Sequence, residues 1–232
     1  MRLKSALRRG VAAAVIAGVV VSSGIPAYAG TWDIANGDIT VKGASDESGN
    51  YNKVKQGDKD FEKDEGETVI TGESDKNTVT IDTSGGKVDV TFDDLKIDAS
   101  DKGKAAVRVE GGHDATIELD GDNKLKSGSH NAGLEKNGNE SSGKLTIKDD
   151  NDTKGSLTAK GGEGGGAGIG GGIKSTGSSI TIRGGTIKAV GGSNAAGIGD
   201  GAGRATGPTD DPNPGDLYIC LLYTSDAADE GL

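Results

Sequence analysis

The chain has 232 residues, a net charge of −10, 42 glycines and few aromatics: one Trp, four Tyr and two Phe. So acidic a polypeptide does not seek nucleic acid or an anionic membrane face. Its single cysteine excludes an intrachain disulfide framework and a thiolate metal cluster.

The first residues read as an export signal. Arg2, Lys4, Arg8 and Arg9 form a basic head, Val11 to Val21 an apolar run, and Ala27-Tyr28-Ala29 a small-x-small cleavage site, so residues 1–29 are expected to be removed after Ala29. The apolar run is too short to span a bilayer, and no membrane span is expected in the mature chain. At the other end, Cys220 to Glu230 resembles the translation of a transposon-end sequencing adapter. Residues 220–232 are therefore read as an artefactual tail on a truncated gene. Without the four positive charges of the leader and the three acids of the tail, −10 becomes −11, and no cysteine is left. An exported chain of this kind depends on packing and backbone hydrogen bonds alone.

Residues 30–68 are expected to form an N-terminal cap or an irregular first coil. Asp38 to Lys42 alternates like a half-buried strand, and the run from Asp58 to Glu67 carries both charges densely, as solvated loops do. From residue 69 to 219 a repeat can be counted. Three series of apolar residues recur: Val79, Val107, Leu134, Ile169, Ile198; Val90, Ile117, Leu145, Ile180; and Ile97, Leu125, Leu157, Ile187. The first has separations of 28, 27, 35 and 29 residues, and the second repeats the long step of 35. Tracts such as Ala115 to Leu119 and Lys144 to Lys148 alternate with a period of two, as β-strands with one apolar face do. Paired glycines at 85–86, 111–112, 161–162, 184–185 and 191–192 punctuate them as bends. The phrase Ala167-Gly-Ile-Gly170 returns as Ala196-Gly-Ile-Gly199. A period near 30 with β tracts predicts an all-β parallel β-helix, a solenoid of three short strands per coil, with Gly215 to Ile219 opening one more strand.

The Gly166 to Gly172 phrase, with Ser179 to Ala189, resembles repeats in large surface proteins of Gram-positive bacteria. Val88 to Asp98 and Ala115 to Leu125 are similar to a bacterial carbohydrate-binding domain of polysaccharide-lyase-like fold. The resemblance implies a right-handed β-helix at the cell surface that binds polysaccharide, with calcium as a candidate cofactor. It carries over no binding residue.

The loop from Lys148 to Gly155 is longer than its counterparts, and Asp149, Asn151 and Asp152 supply hard oxygen atoms suited to Ca²⁺, beside the plainer reading of a solvated turn. Asp93 and Asp94 fall one repeat before Asp120 and Asp122, stacked acids that repel unless a cation or screening intervenes. Arg108 and Arg183 are the only arginines in the counted repeats, and Arg108 should point outward. His113 and His130 fall in turns with no partner in view, and no nucleophile motif, phosphate loop or zinc spacing occurs. Sugar sites often use aromatic platforms. Trp32 stands outside the repeat, Phe92 should be core, and Tyr51 is the one plausible platform. The expected function is a non-catalytic secreted or wall-associated module that binds polysaccharide or cell-wall glycan, or mediates adhesion, as a monomeric part of a longer chain. The alternatives are a structural spacer in a larger surface protein and a calcium-dependent polysaccharide-active enzyme.

Overall fold

The computed structural model describes residues 30–64 and 66–203 and the strand 217–219. Residues 1–29, read from the sequence as an export signal, and residues 220–232 lie outside the described residues. Seventeen strands follow one another: β1 (Thr31–Asp33), β2 (Ile39–Asp46), β3 (Gly49–Gln56), β4 (Glu62–Asp64), β5 (Thr68–Ser74), β6 (Val79–Asp82), β7 (Val88–Asp98), β8 (Val107–Glu110), β9 (Ala115–Lys126), β10 (Leu134–Glu135), β11 (Leu145–Lys148), β12 (Gly155–Lys160), β13 (Ile169–Gly170), β14 (Ile180–Ile182), β15 (Thr186–Val190), β16 (Ile198–Gly199) and β17 (Leu217–Ile219). One turn of 3-10 helix, Ile34–Asn36, follows β1, with Asp33 capping it through Ala35 N–H.

The expectation of a β-helix with three strands per coil is corrected by this topology. The strands gather into two sheets. A nine-stranded, wholly parallel sheet runs β1-β5-β7-β9-β11-β14-β17, with β12 paired to β9 and β15 to β12. An eight-stranded sheet runs β16-β13-β10-β8-β6-β2-β3-β4 and is mixed, because β2, β3 and β4 are joined antiparallel. Two physical causes separate expectation from structure. The second and third apolar tracts are not independent walls: in β7 and β9 they are one continuous strand of 11 and 12 residues. Residues 39–64, of which only those in the Asp38 to Lys42 tract alternate clearly, fold as the hairpin β2–β3, extended by β4, on the end of the second sheet.

The register shows which residues stack. The first series holds throughout: Val79 pairs with Val107, Val107 with Leu134, Leu134 with Ile169, and Ile169 with Ile198. The others slip by two residues at one step each, where Ile117 meets Ile147 and Leu125 meets Ala159. Between these steps Asn123 is fully buried. Its Oδ1 accepts from Leu95 N–H (2.9 Å) at the irregularity of β7, and its Nδ2 donates to the carbonyls of Asp120 and Ser156. The inward rows of both sheets meet in one core cluster extending from Ile34 to Ile182, with Phe92 fully buried in it. The outward rows are left for function.

Candidate functional site

Alternation puts Val88, Val90 and Phe92 of β7 inward, so Asp89 and Thr91 must face out, and the parallel register repeats this on each neighbouring strand. One row reads Asp89, Thr116, Thr146, Thr181 across β7, β9, β11 and β14. The next reads Thr91, Glu118, Lys148. Arg183 closes that row, its N–H bonded to the carbonyl of Ile147. Lys87, Asp114 and Lys144 stand one position before the strands' first inward residues, and Asp114 Oδ1 accepts from Lys144 N–H at 2.8 Å. These rows, Thr181 apart, floor a groove of about 700 Å³.

The hairpin builds its wall. Asn50, Tyr51 and Asn52 of β3 line the groove. Asn52 is buried, and its Nδ2 donates to Thr68 Oγ1 (2.8 Å) and to the carbonyl of Asp89 (2.7 Å), tying the second sheet to the face of the first. Thr68 Oγ1 donates in turn to Asp64 Oδ2, which also accepts from Trp32 Nε1–H at 3.1 Å. Trp32 is therefore half-buried scaffold. Tyr51 reaches the groove as a platform would, but Lys63 Nζ lies 4.4 Å from its ring centroid and Lys53 Nζ 5.9 Å, so cations already lie against the ring.

Part of the charge in the groove is paired. Glu118, 6% exposed, accepts from Asp150 N–H at 3.0 Å through Oε1. Its Oε2 has the ammonium of Lys148 at 2.7 Å but no hydrogen bond of ordinary geometry. Lys148 also donates to Asp150 Oδ1 at 2.6 Å. Burial pulls the Lys148 ammonium down, and its bonds and attraction to Asp150 and Glu118 outweigh this, leaving its pKa raised. The hydrogen bond from Lys148 holds the Asp150 carboxyl below the usual range. Lys87 pairs with Asp89 at 3.0 Å, and Thr91 Oγ1 donates to Glu67 at 2.5 Å. Lys144 and Arg183 are exposed and form no ion pair among the described residues.

No family model matches the chain, and neither does any curated protein or any solved structure. Among the described residues no helix is long and apolar enough to cross a membrane.

The candidates from the sequence fall in several places. Asn151 spends both ends of its amide locally: Nδ2 donates to Asp120 Oδ1 at 2.8 Å, and Oδ1 accepts from Thr153 N–H at 2.7 Å. Asp149 and Asp152 make no side-chain hydrogen bond or ion pair with the described residues. Among those residues, no three His, Cys, Asp or Glu side chains converge as a metal-ligand set. Asp93 does lie in register with Asp120, and burial, then the charges of Asp94 and Asp120, raises its pKa. His113 Nδ1–H donates to the Thr83 carbonyl (2.8 Å) and His130 Nδ1–H to that of Gly164 (2.9 Å), so both histidines pin turns.

Arg108 faces outward on the second sheet, and it meets a residue that the sequence reading missed. Glu135, 1% exposed, binds its guanidinium at 2.7 Å, with Glu140 at 3.6 Å on the other side. Burial raises the Glu135 pKa, against the pull of Ala132 N–H and of Arg108. Lys136 was missed as well. It follows Leu134 by two residues, and that parity sends it inward. It is fully buried, with Nζ donating to the carbonyls of Ser141 (3.0 Å) and Ser178 (2.9 Å). Burial lowers its pKa to about 8.

Proposed function

We propose that this chain is a non-catalytic, exported module that binds polysaccharide at the groove on its nine-stranded sheet. The observation that carries this reading is the pair of outward rows Asp89-Thr116-Thr146 and Thr91-Glu118-Lys148-Arg183, donors and acceptors repeated at strand spacing along the groove floor. Neighbouring rungs of a sheet stand about 4.8 Å apart and same-face residues along a strand about 6.7 Å. A glycan chain offers hydroxyls that can donate and accept at comparable intervals. Lys148, held by the buried Glu118, needs little reordering to meet it, which lowers the cost of binding at an open polar site. The scarcity of free aromatic surface favours hydrogen bonding over stacking.

Thr116 lies half-buried in the middle of the floor, so Thr116→Arg fills the groove without entering the core. On an array of plant and host polysaccharides the wild type is expected to bind at least one polymer. The variant should lose about tenfold or more in affinity, roughly 1.4 kcal/mol, with an unchanged melting temperature. Equal binding by the variant, or no binding by the wild type, overturns the reading. The second outcome leaves the spacer role.

A further inference from the structure

The eight-stranded sheet carries its own outward row. Thr40 of β2 pairs with Thr80 of β6, Thr80 with Arg108 of β8, and Arg108 with Glu135 of β10. Here the row does not run flat. Glu135 is sealed beneath the surface, with Oε2 accepting from Ala132 N–H at 3.0 Å and Asn137 Nδ2 at 3.3 Å from Oε1. It holds the Arg108 guanidinium at 2.7 Å, Glu140 stands on the other side at 3.6 Å, and the arginine side chain is left 37% exposed. A guanidinium braced by two carboxylates is a fixed fork of N–H donors, not a mobile surface charge. Beside it lies a second groove of about 400 Å³, floored by Thr40, Thr80 and Arg108 and rimmed by Asp38, Lys104 and Asn131. Asp38 is set by its own bond from Thr78 N–H at 2.6 Å.

We propose that this groove is a second glycan site, so that one chain holds two polysaccharide strands at once. The inference rests on the function proposed above and goes beyond it. The volume lies in the range of small-ligand sites and suits one or two sugar rings. Two hydroxyls, a braced guanidinium, an ammonium, a carboxylate and an amide meet vicinal sugar hydroxyls as both donors and acceptors. The grooves share no lining residue and their floors belong to different sheets, whose inward rows meet in one core, so filling one leaves the other open. With no aromatic side chain in the second groove each contact is weak, and binding gains strength from two-point attachment to polymer.

The test is calorimetric titration of the wild type with cellotetraose, xylotetraose and mannotetraose in turn, with light scattering on the matching polymers, hydroxyethyl cellulose, xylan and mannan. A stoichiometry of two is expected for at least one oligosaccharide. Thr80→Arg, which fills the second groove, and Thr116→Arg, which fills the first, should each reduce it to one. The wild type should cross-link the polymer while either variant binds it without cross-linking. Arg108→Lys keeps the counter-charge on Glu135 and so guards against misfolding. It should weaken the second site about tenfold and leave the first unchanged. A wild-type stoichiometry of one that Thr116→Arg abolishes and Thr80→Arg leaves intact overturns the second site and spares the first. Binding of none of the three oligosaccharides and none of the three polymers overturns both.

Discussion

Lys136 shows how a single residue type misleads when read apart from its strand. A lysine two residues from Leu134 ought to break an apolar row. Instead its ammonium closes two turns by donating to the carbonyls of Ser141 and Ser178. A neutral amine still has two N–H donors, which is all that these carbonyls use, and so burial shifts the group toward that form. Its pKa falls from 10.5 to about 8 in the folded chain, so below pH 8 both states carry the proton and the cost of the buried charge is fully present. Between about 8 and 10.5 the unfolded chain binds more protons, and stability rises with pH. The gain is about 3 kcal/mol. Urea unfolding of wild type and Lys136→Met at several pH values isolates the effect, since the methionine orphans both carbonyls but does not titrate. The wild type's advantage should grow by about that amount from pH 8 to 10.5. Parallel pH curves for the two proteins would refute the linkage.

At the scale of elements, the glycine bends divide into those where a side chain has room and those where it has none. A Cβ on Gly162 would run into the carbonyl oxygen of Gly128, and one on Gly192 into that of Gly162, so three loops lie backbone on backbone. At Gly112 the nearest atom would be 3.6 Å away, an ordinary contact. Gly162→Ala is therefore expected to cost about 1–3 kcal/mol. Gly112→Ala should change stability by less than about 0.5 kcal/mol. Thermal unfolding of the two variants checks the contrast, and similar losses would mean that backbone contact is not what selects glycine at 162. These bends and the first apolar series were legible because glycine pairs and alternating apolar residues are local signals. The slip at Asn123 was not: a polar residue inside the core is explained only by the backbone groups of Leu95, Asp120 and Ser156, which come from three strands. The merging of two tracts into β7 and into β9 was hidden for a similar reason, since a bulged strand and a corner look alike in one dimension. Of the site, Tyr51, Asn151 and Arg183 could be named from the sequence, but the groove that brings them together needs β3 folded over the first sheet, a contact made through Asn52 and Thr68.

For the molecule as a whole, nearly every strand pair in the nine-stranded sheet joins residues some 25–40 positions apart, and no disulfide shortens those loops. The two sheets could in principle unfold separately, yet their inward rows form one cluster, and Asn52 bonds the hairpin of one to β5 and β7 of the other. Loss of either sheet strips the other's apolar face, so the described body should unfold as one unit. Pairings this distant must close long loops before they gain contacts, which places folding in the slow range of milliseconds to seconds or beyond. The chain has its own probe of both statements. Trp32 is the only tryptophan, half-buried in β1 at one edge of the sheet and tied to Asp64. Its fluorescence reports that edge, while far-ultraviolet circular dichroism reports all the strands. In urea the two signals should share one midpoint, and stopped-flow refolding followed by Trp32 should be slower than a millisecond. A fluorescence midpoint well below that of the dichroism would show that the hairpin and β1 detach first, and that Asn52 does not couple the sheets strongly enough for the groove wall to stay in place without its floor.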